Sequence, residues 1–504
     1  MSTRWLAKDN PAEEALVVKE FGYKPEMRRT LRFIASFGIS FSFISATTGI
    51  FTSFGTGIGL AGGFIVWAWP IVALGQTLFA LVFASLASRV PLAGSSYQWI
   101  SRMAGPTAGW VQGWMILVWI TVGLLSIDYA LAQAILPPLF NYSSGIGLTW
   151  FVAALLLVLQ ALLVMFSTRW AARVNNGAVA GEIISMILLS AVILIATGVE
   201  AHHAFHWHNL IAPEPGFHGS YFAFGTLAHS GWWQLALLMG IYSLNGFEAA
   251  ADVAEETQNV GRTAPRAIWT SIVTSGIIGF VFLLVLVSAA PSLGPLGKAA
   301  SPLGDIIIYV LGSVVSRIFL AIVVYAVFCC GLSVFLDETR VVFAMSRDNR
   351  LPGHALWKRI HPRFNTPLWA TVGILVLLEA LLAVFARDTN TLFALIGAAS
   401  IFPPIVYGFP CLIALFRRHK LPENEGWSLG KWELPVIIAS LVWACLAILV
   451  LRDHSLWGGW RYAGGGTAIG LVYLGYLKVK GRLTELPAFS REDDVEVGAT
   501  ADPP

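Results

Sequence analysis

Twelve windows of about twenty mainly apolar residues recur along the chain, near 33–57, 63–87, 108–136, 149–166, 176–197, 232–253, 267–290, 312–335, 367–386, 390–416, 433–451 and 463–478. A bilayer core about 30 Å thick is crossed by about 20 helical residues. With no water there to satisfy backbone groups, a chain built this way can only be a bundle of membrane helices. Composition agrees: 12% of the residues are charged, about half the share in a soluble globular chain. The formal charge of +3 comes from 32 basic and 29 acidic residues, too close to balance to hold a polyanion, so no nucleic-acid partner is expected. Cys329, Cys330, Cys411 and Cys445 all fall in apolar runs, where a thiol packs as a small hydrophobe; neither a disulfide framework nor redox chemistry is indicated.

Residues 1–30 are charged and lack the apolar core of a signal peptide, and 482–504 are polar as well; both compositions favour disorder. Lys and Arg concentrate in alternate connections, at Arg89 and Arg102, Arg169 and Arg173, Arg262 and Arg266, the run from Arg340 to Arg363, and Arg417 to Lys431, while 198–231 has none. The bias of basic residues toward the inner face then puts both termini in the cytosol of a multi-pass plasma-membrane protein. The expected domains are a cytosolic segment 1–30, a membrane domain 31–481, and a cytosolic tail 482–504.

Two spans carry small and hydroxylated residues where a purely lipid-crossing helix would carry Leu, Ile or Val. The first reads Ser45-Ala46-Thr47-Thr48-Gly49 at its centre and the sixth Tyr242-Ser243-Leu244-Asn245-Gly246-Phe247-Glu248. Gly and Ser also let membrane helices pack closely. If spans one to five and six to ten are repeats, however, the two segments occupy matching positions, which points to helices broken at mid-membrane around a transport site. Free N–H groups at the start of a second half-helix favour an anion, and free carbonyls at the end of a first half favour a cation.

Further motifs carry a family likeness. Pro91-Leu92-Ala93-Gly94-Ser95-Ser96-Tyr97-Gln98-Trp99, Gly246-Phe247-Glu248-Ala249, Glu255-Glu256-Thr257, Pro265-Arg266-Ala267-Ile268 and Arg340 to Asp348 with Leu351-Pro352 resemble, in order and spacing over about 30–480, the amino acid, polyamine and organocation transporter superfamily, and within it the amino acid and choline branch. The resemblance implies an all-α membrane fold of about twelve transmembrane helices: two inverted five-helix repeats, about 31–200 and 230–418, plus two C-terminal helices at about 433–480. It implies a secondary transporter of an amino acid or related amine, working by alternating access. The α-carboxylate would meet the first break, with Ser45, Thr47, Thr48 and Gly49. The amine would meet the sixth, with Tyr242, Ser243, Asn245, Gly246 and Phe247. Asn245 departs from the pattern, standing where Ser or Thr is common, and the fifth span has no Lys to stand in for a sodium ion.

A carboxylate inside a membrane is costly unless paired or solvated. Glu248 is read as a gating or proton-linked residue, by likeness to relatives with an acid there. Asp128 either faces a cationic substrate or pairs with a base near the outer face; Glu182 is placed near the cytoplasmic mouth. Asp252, Glu255, Glu256, Arg262 and Arg266 are read as a cytoplasmic salt-bridge cluster. Trp232, Trp233, Phe247 and Tyr325 are candidates for a gate or a ring wall facing a cation. Ser333 is a candidate sodium ligand. His202, His203, His206, His208, His218 and His229 crowd one outer loop without the accompanying ligands of a zinc site. No metal site, cofactor or obligate protein partner is expected; a coupling ion would be H+ or Na+.

Three classes compete. A transporter of amino acids or related amines, with choline, polyamine and 4-aminobutyrate as alternative cargo, fits best. A sensor or channel on the same fold would bind ligand without counterflow. An enzyme needs a catalytic group of residues at one depth, which these spans lack.

Overall fold

A computed structural model describes residues 18–486 apart from 25, 26, 28, 144, 167, 200–204, 214–221, 223, 227, 228, 300, 386–390 and 425. Among these residues the chain is helical, with no named strand. Among the described residues, nine stretches of helix are long and apolar enough to cross a membrane, and each of the twelve expected windows overlaps helix.

The first window is two half-helices, α1 (Phe33–Ile44) and α2 (Ala46–Ala61). Then come α3 (Ile65–Arg89), the amphipathic α4 (Ser95–Ala104) and α5 (Pro106–Ala130), which runs into a π-helical turn at Leu131–Ile135. Next are α6 (Ile146–Phe166) and α7 (Thr168–Val199). The sixth window is α8 (Trp232–Ser243), an unwound stretch at 244–248, and the single turn α9 (Ala249–Asp252). The rest comprises α10 (Val260–Ala289), α11 (Pro302–Arg347), α12 (Leu368–Phe385), α13 (Thr391–Arg417), α14 (Glu433–Val450) and α15 (Trp457–Val479).

Several helices outrun their windows. The longest, α11, has 46 residues and bends at Gly312, whose φ of 72° leaves the helical region. The expected eighth span starts at that bend, because the apolar window marks the lipid-crossing part and not the capped ends that continue on either side.

Small residues set the closest contacts between helices. A Cβ at Gly75 would enter the Trp443 ring of α14, one at Gly279 the Trp69 ring, and one at Gly240 the Val72 side chain. Such approaches matter because lipid is as apolar as Leu, so close packing drives association inside a bilayer. α10 packs along α3, α11 along α7, and α13 against α5, α14 and α15.

At the arginine-rich end the ion pairs differ from those expected. Glu255 pairs with Arg347 at 2.9 Å and Glu256 with the fully buried Arg340 at 2.8 Å. The bases come from the end of α11, which projects beyond its window far enough to reach them, and not from Arg262 and Arg266. Asp252 joins no such pair; it faces Asp337, Ser95 and the backbone of Gly94.

The expectation of disorder before residue 30 is also corrected for the described part. Val18, Phe21, Tyr23 and Met27 are buried. Thr30 and Leu31 donate their N–H groups to Glu256 O at 2.8 and 2.9 Å, and Gln258 N–H donates to Leu31 O at 2.8 Å. The Tyr23 hydroxyl donates to Asp348 Oδ1 at 2.9 Å while the Arg347 guanidinium lies 3.8 Å over its ring. Mean polarity hides four apolar side chains spaced along the segment. Residues 1–17 and 487–504 lie outside the described residues.

Candidate functional site

The two breaks face each other. Between α1 and α2 a single residue is unwound: Ser45, at φ 31° and ψ 87°. The break therefore falls two residues before the expected one, and Thr47, Thr48 and Gly49 belong to the first turn of α2. In the sixth window Tyr242 and Ser243 end α8, and Gly246 takes φ 89°. A Cβ at Gly246 would run into the Phe43 ring, and one at Gly49 into the Ser243 side chain, so glycine is required at both crossings. Ser40 ties the breaks together, donating to Phe247 O at 2.8 Å and accepting from Ala250 N–H at 2.9 Å.

A cavity of about 420 Å³, counted with its open mouth, lies between them. Its walls come from α1 (Phe43, Ile44), α2 (Thr48, Gly49), α5 (Trp119, Ile120, Gly123, Ile127), α8 and the break after it (Tyr242, Ser243, Asn245), α11 (Cys330, Val334) and α13 (Ala399). None of these side chains is charged. Five of the expected site residues, Thr48, Gly49, Tyr242, Ser243 and Asn245, line it. Ser45, Thr47, Gly246, Phe247, Glu248 and Asp128 do not.

Behind the α2 end sits a residue that reading by span depth misplaces. Glu182 of α7 lies at the first break, where its Oε1 accepts from Ser45 Oγ and from Thr47 N–H, each at 3.0 Å. The helix start looks vacant in the sequence because a capping acid can arrive from a distant segment. Ser45 Oγ also accepts from Thr48 N–H at 3.1 Å, and Gly49 N–H donates to Ser45 O at 2.9 Å.

Behind the sixth-window break, Glu248 accepts from the Tyr407 hydroxyl at 2.9 Å, and that hydroxyl accepts from Gly246 N–H at 2.7 Å. Sequence reasoning misses Tyr407; its one signal there is a polar tip inside the proline-interrupted α13. Phe247 packs on the Tyr407 ring, centroids 4.7 Å apart. Asp128, just before the π-helical turn, has neither of its expected surroundings. It is buried, does not line the cavity, and accepts from Gln160 Nε2 at 2.9 Å.

The aromatic wall of the cavity is Phe43 and Trp119, with centroids 6.0 Å apart, and Tyr242, whose hydroxyl lies 2.9 Å from Ser126 Oγ. Trp232 and Trp233 pack on Phe64 and Phe224 instead. Tyr325 is 41% exposed on the outside of α11 and donates to Val174 O. Ser333 donates to Asn175 Oδ1 at 3.0 Å. The rings of His206 and His208 stand 5.8 Å apart; His202, His203 and His218 lie outside the described residues. No group of three His, Cys, Asp or Glu suited to a metal occurs among the described residues.

The uncharged, partly aromatic cavity between the two breaks suits a small solute, and the sequence profile of the amino acid permeases matches residues 31–471. The chain belongs to the amino acid permease family. That makes it a multi-pass membrane protein of the amino acid, polyamine and organocation superfamily with a transport role. It is 27% identical to an amino-acid permease BAT1 homolog of Oryza sativa subsp. japonica, over 84% of this chain and 85% of that one. It is 24% identical to a GABA-specific permease of Saccharomyces cerevisiae, over 86% and 77%. It is also 24% identical to the thiamine transporter thi9 of Schizosaccharomyces pombe, over 86% and 79%.

Proposed function

We propose that this permease is a secondary transporter that moves an amino acid or related amine across the plasma membrane by alternating access. Twelve spans, arranged as two inverted five-helix repeats at about 31–200 and 230–418 plus two further helices at about 433–480, carry the motion, with both termini cytosolic. The observation that carries the reading is the meeting of two interrupted helices at one cavity. Each break is a joint of one to five residues, so the half-helices can tilt about a bound solute while the surrounding helices keep the barrier closed.

In this reading the cargo rests against Thr48, Gly49, Tyr242, Ser243 and Asn245, with Ser45, Thr47, Gly246 and Phe247 shaping the breaks behind them. Glu248 and Asp128 are the gating or proton-linked groups. Glu248 is suited to this by its bond to Tyr407, since protonation of the carboxyl changes what that hydroxyl offers to Gly246 N–H. The coupling ion of this reading is H+, through Glu248 or Asp128, or Na+. The names of the relatives keep amino acids, 4-aminobutyrate and thiamine within the range of cargo.

The test is counterflow. In proteoliposomes preloaded with unlabelled solute, a carrier accumulates labelled solute transiently and saturably, whereas a channel equilibrates and a sensor moves nothing. The panel is neutral, cationic and acidic amino acids, 4-aminobutyrate, diamines, choline and thiamine. Counterflow with at least one of them is the expected result; ligand-induced thermal stabilisation without any counterflow would overturn it.

A further inference from the structure

At the two helix ends that would clasp a zwitterion, groups of the chain itself already hold several of the polar groups. At the α2 end the Thr47 N–H is held by Glu182, the Thr48 N–H by Ser45 Oγ and the Gly49 N–H by Ser45 O. A carboxylate is what a helix start attracts, and here it is supplied by α7. At the α8 end Asn245 folds back, its Nδ2 donating to Ile241 O at 3.0 Å and to Tyr242 O at 2.5 Å. Two carbonyl acceptors on that side fix which end of the amide is nitrogen. Its oxygen is then left as an acceptor in a side chain that lines the cavity.

A cargo carboxylate would find no basic side chain on the cavity wall. Asp128, Glu182 and Glu248 stand just behind the wall region and are bonded to Gln160, to Ser45 with Thr47, and to Tyr407, with no cation among those partners. A guest anion would therefore be desolvated beside carboxyl groups, with no cation on the wall to pair it. A guest ammonium would meet an amide oxygen and the rings of Phe43 and Trp119.

We propose that the cavity recognises its cargo through a protonated amine and leaves any cargo carboxylate ungripped, with Glu182 as the resident anion of the first break and Asn245 Oδ1 as the acceptor for the amine. This rests on the transport reading and narrows it: the cargo class is primary amines, among which a carboxylate is tolerated and not required. The cargo carboxylate expected at Thr47 to Gly49 is replaced by an internal one.

The test compares matched probes on the full-length protein in detergent, by thermal shift and by titration. L-alanine, L-leucine and 4-aminobutyrate are each set beside their carboxamides, alaninamide, leucinamide and 4-aminobutyramide, and beside the amine-free acids propionate, 4-methylpentanoate and butyrate. For a parent that binds, the carboxamide is expected to bind at least as tightly, and the amine-free acid not at all. Asn245→Ala should weaken parent and carboxamide together by about tenfold or more, the scale of a hydrogen bond to a charged group. Glu182→Gln keeps an oxygen for Thr47 N–H and should weaken both in the same proportion while leaving the apo protein folded. Binding of the parents with loss of the carboxamides, or binding of any amine-free acid, overturns the proposal and leaves the transport reading intact. Failure of every amine to bind overturns both. The wild-type comparison decides the matter even where a variant fails to fold.

Discussion

The tightest constraints act on single residues. Gly49 and Gly246 are the points where the backbone of one break presses on a side chain beside the other, Ser243 and Phe43 respectively, and at Gly246 the positive φ adds strain to any side chain. Gly49→Ala should therefore destabilise the protein by about 1–3 kcal/mol through overpacking, and Gly246→Ala by more, since it adds the cost of a left-handed non-glycine residue. Thermal unfolding in detergent checks this, and a Gly49→Ala protein as stable as wild type would show that the helices can separate there without cost. Both glycines are visible in the sequence as oddities of an apolar span. Asn245 is visible too, as a departure from a pattern. What it does is not legible there, because a side chain that folds back onto carbonyls three and four residues earlier leaves the same sequence as one that reaches into the cavity.

At the scale of elements, the start of α2 shows how a membrane helix can begin at mid-depth. Ser45 turns the chain, its hydroxyl accepts from Thr48 N–H, and it donates in turn to Glu182 Oε1. Loss of an N-cap hydroxyl costs about 0.5–2 kcal/mol, so Ser45→Ala should lower the unfolding temperature measurably. It should do so through the break, raising hydrogen exchange at Thr48 N–H above that of the rest of α2. Unchanged exchange there would mean that the cap is dispensable. The same element explains the misplacement of Glu182. Sequence distance to the last polar residue is a poor measure of depth along α7, because a helix of 32 residues reaches beyond the bilayer core and counting from one end misjudges which turn meets the break. The sixth window is the converse case: Ser243, Asn245 and Gly246 stand where Leu, Ile or Val would be expected, and the interruption is legible for that reason.

For the whole molecule, the N-terminal segment closes the arginine-rich end. Tyr23 reaches Asp348, 325 positions away in sequence, beneath Arg347. Burial, reinforced by the Asp348 carboxylate, pushes the Tyr23 phenol up from 10.0 to about 12. Because the folded value lies above the unfolded one, this group's contribution to stability is complete below about pH 10 and is lost as the pH rises toward 12. Wild type and Tyr23→Phe should accordingly differ in the steepness of their stability loss between pH 10 and 12. At about 1.4 kcal/mol for each pH unit, the wild type should lose about 3 kcal/mol more across that interval. Parallel curves would show that the segment leaves that end of the bundle before the phenol ionises.

The class of fold, the positions of the helices and the two interrupted spans were legible in the sequence alone, because hydrophobic length and a mid-span run of small and hydroxylated residues are properties of contiguous residues. The tertiary structure decided which groups satisfy the interruptions. Glu182 and Tyr407 come to the breaks from helices far along the chain, and Asp128 bonds to Gln160 outside the cavity lining. A buried polar group takes whichever partner lies within about 3 Å, and that proximity is set by the packing of helices and is written in no local stretch of the chain.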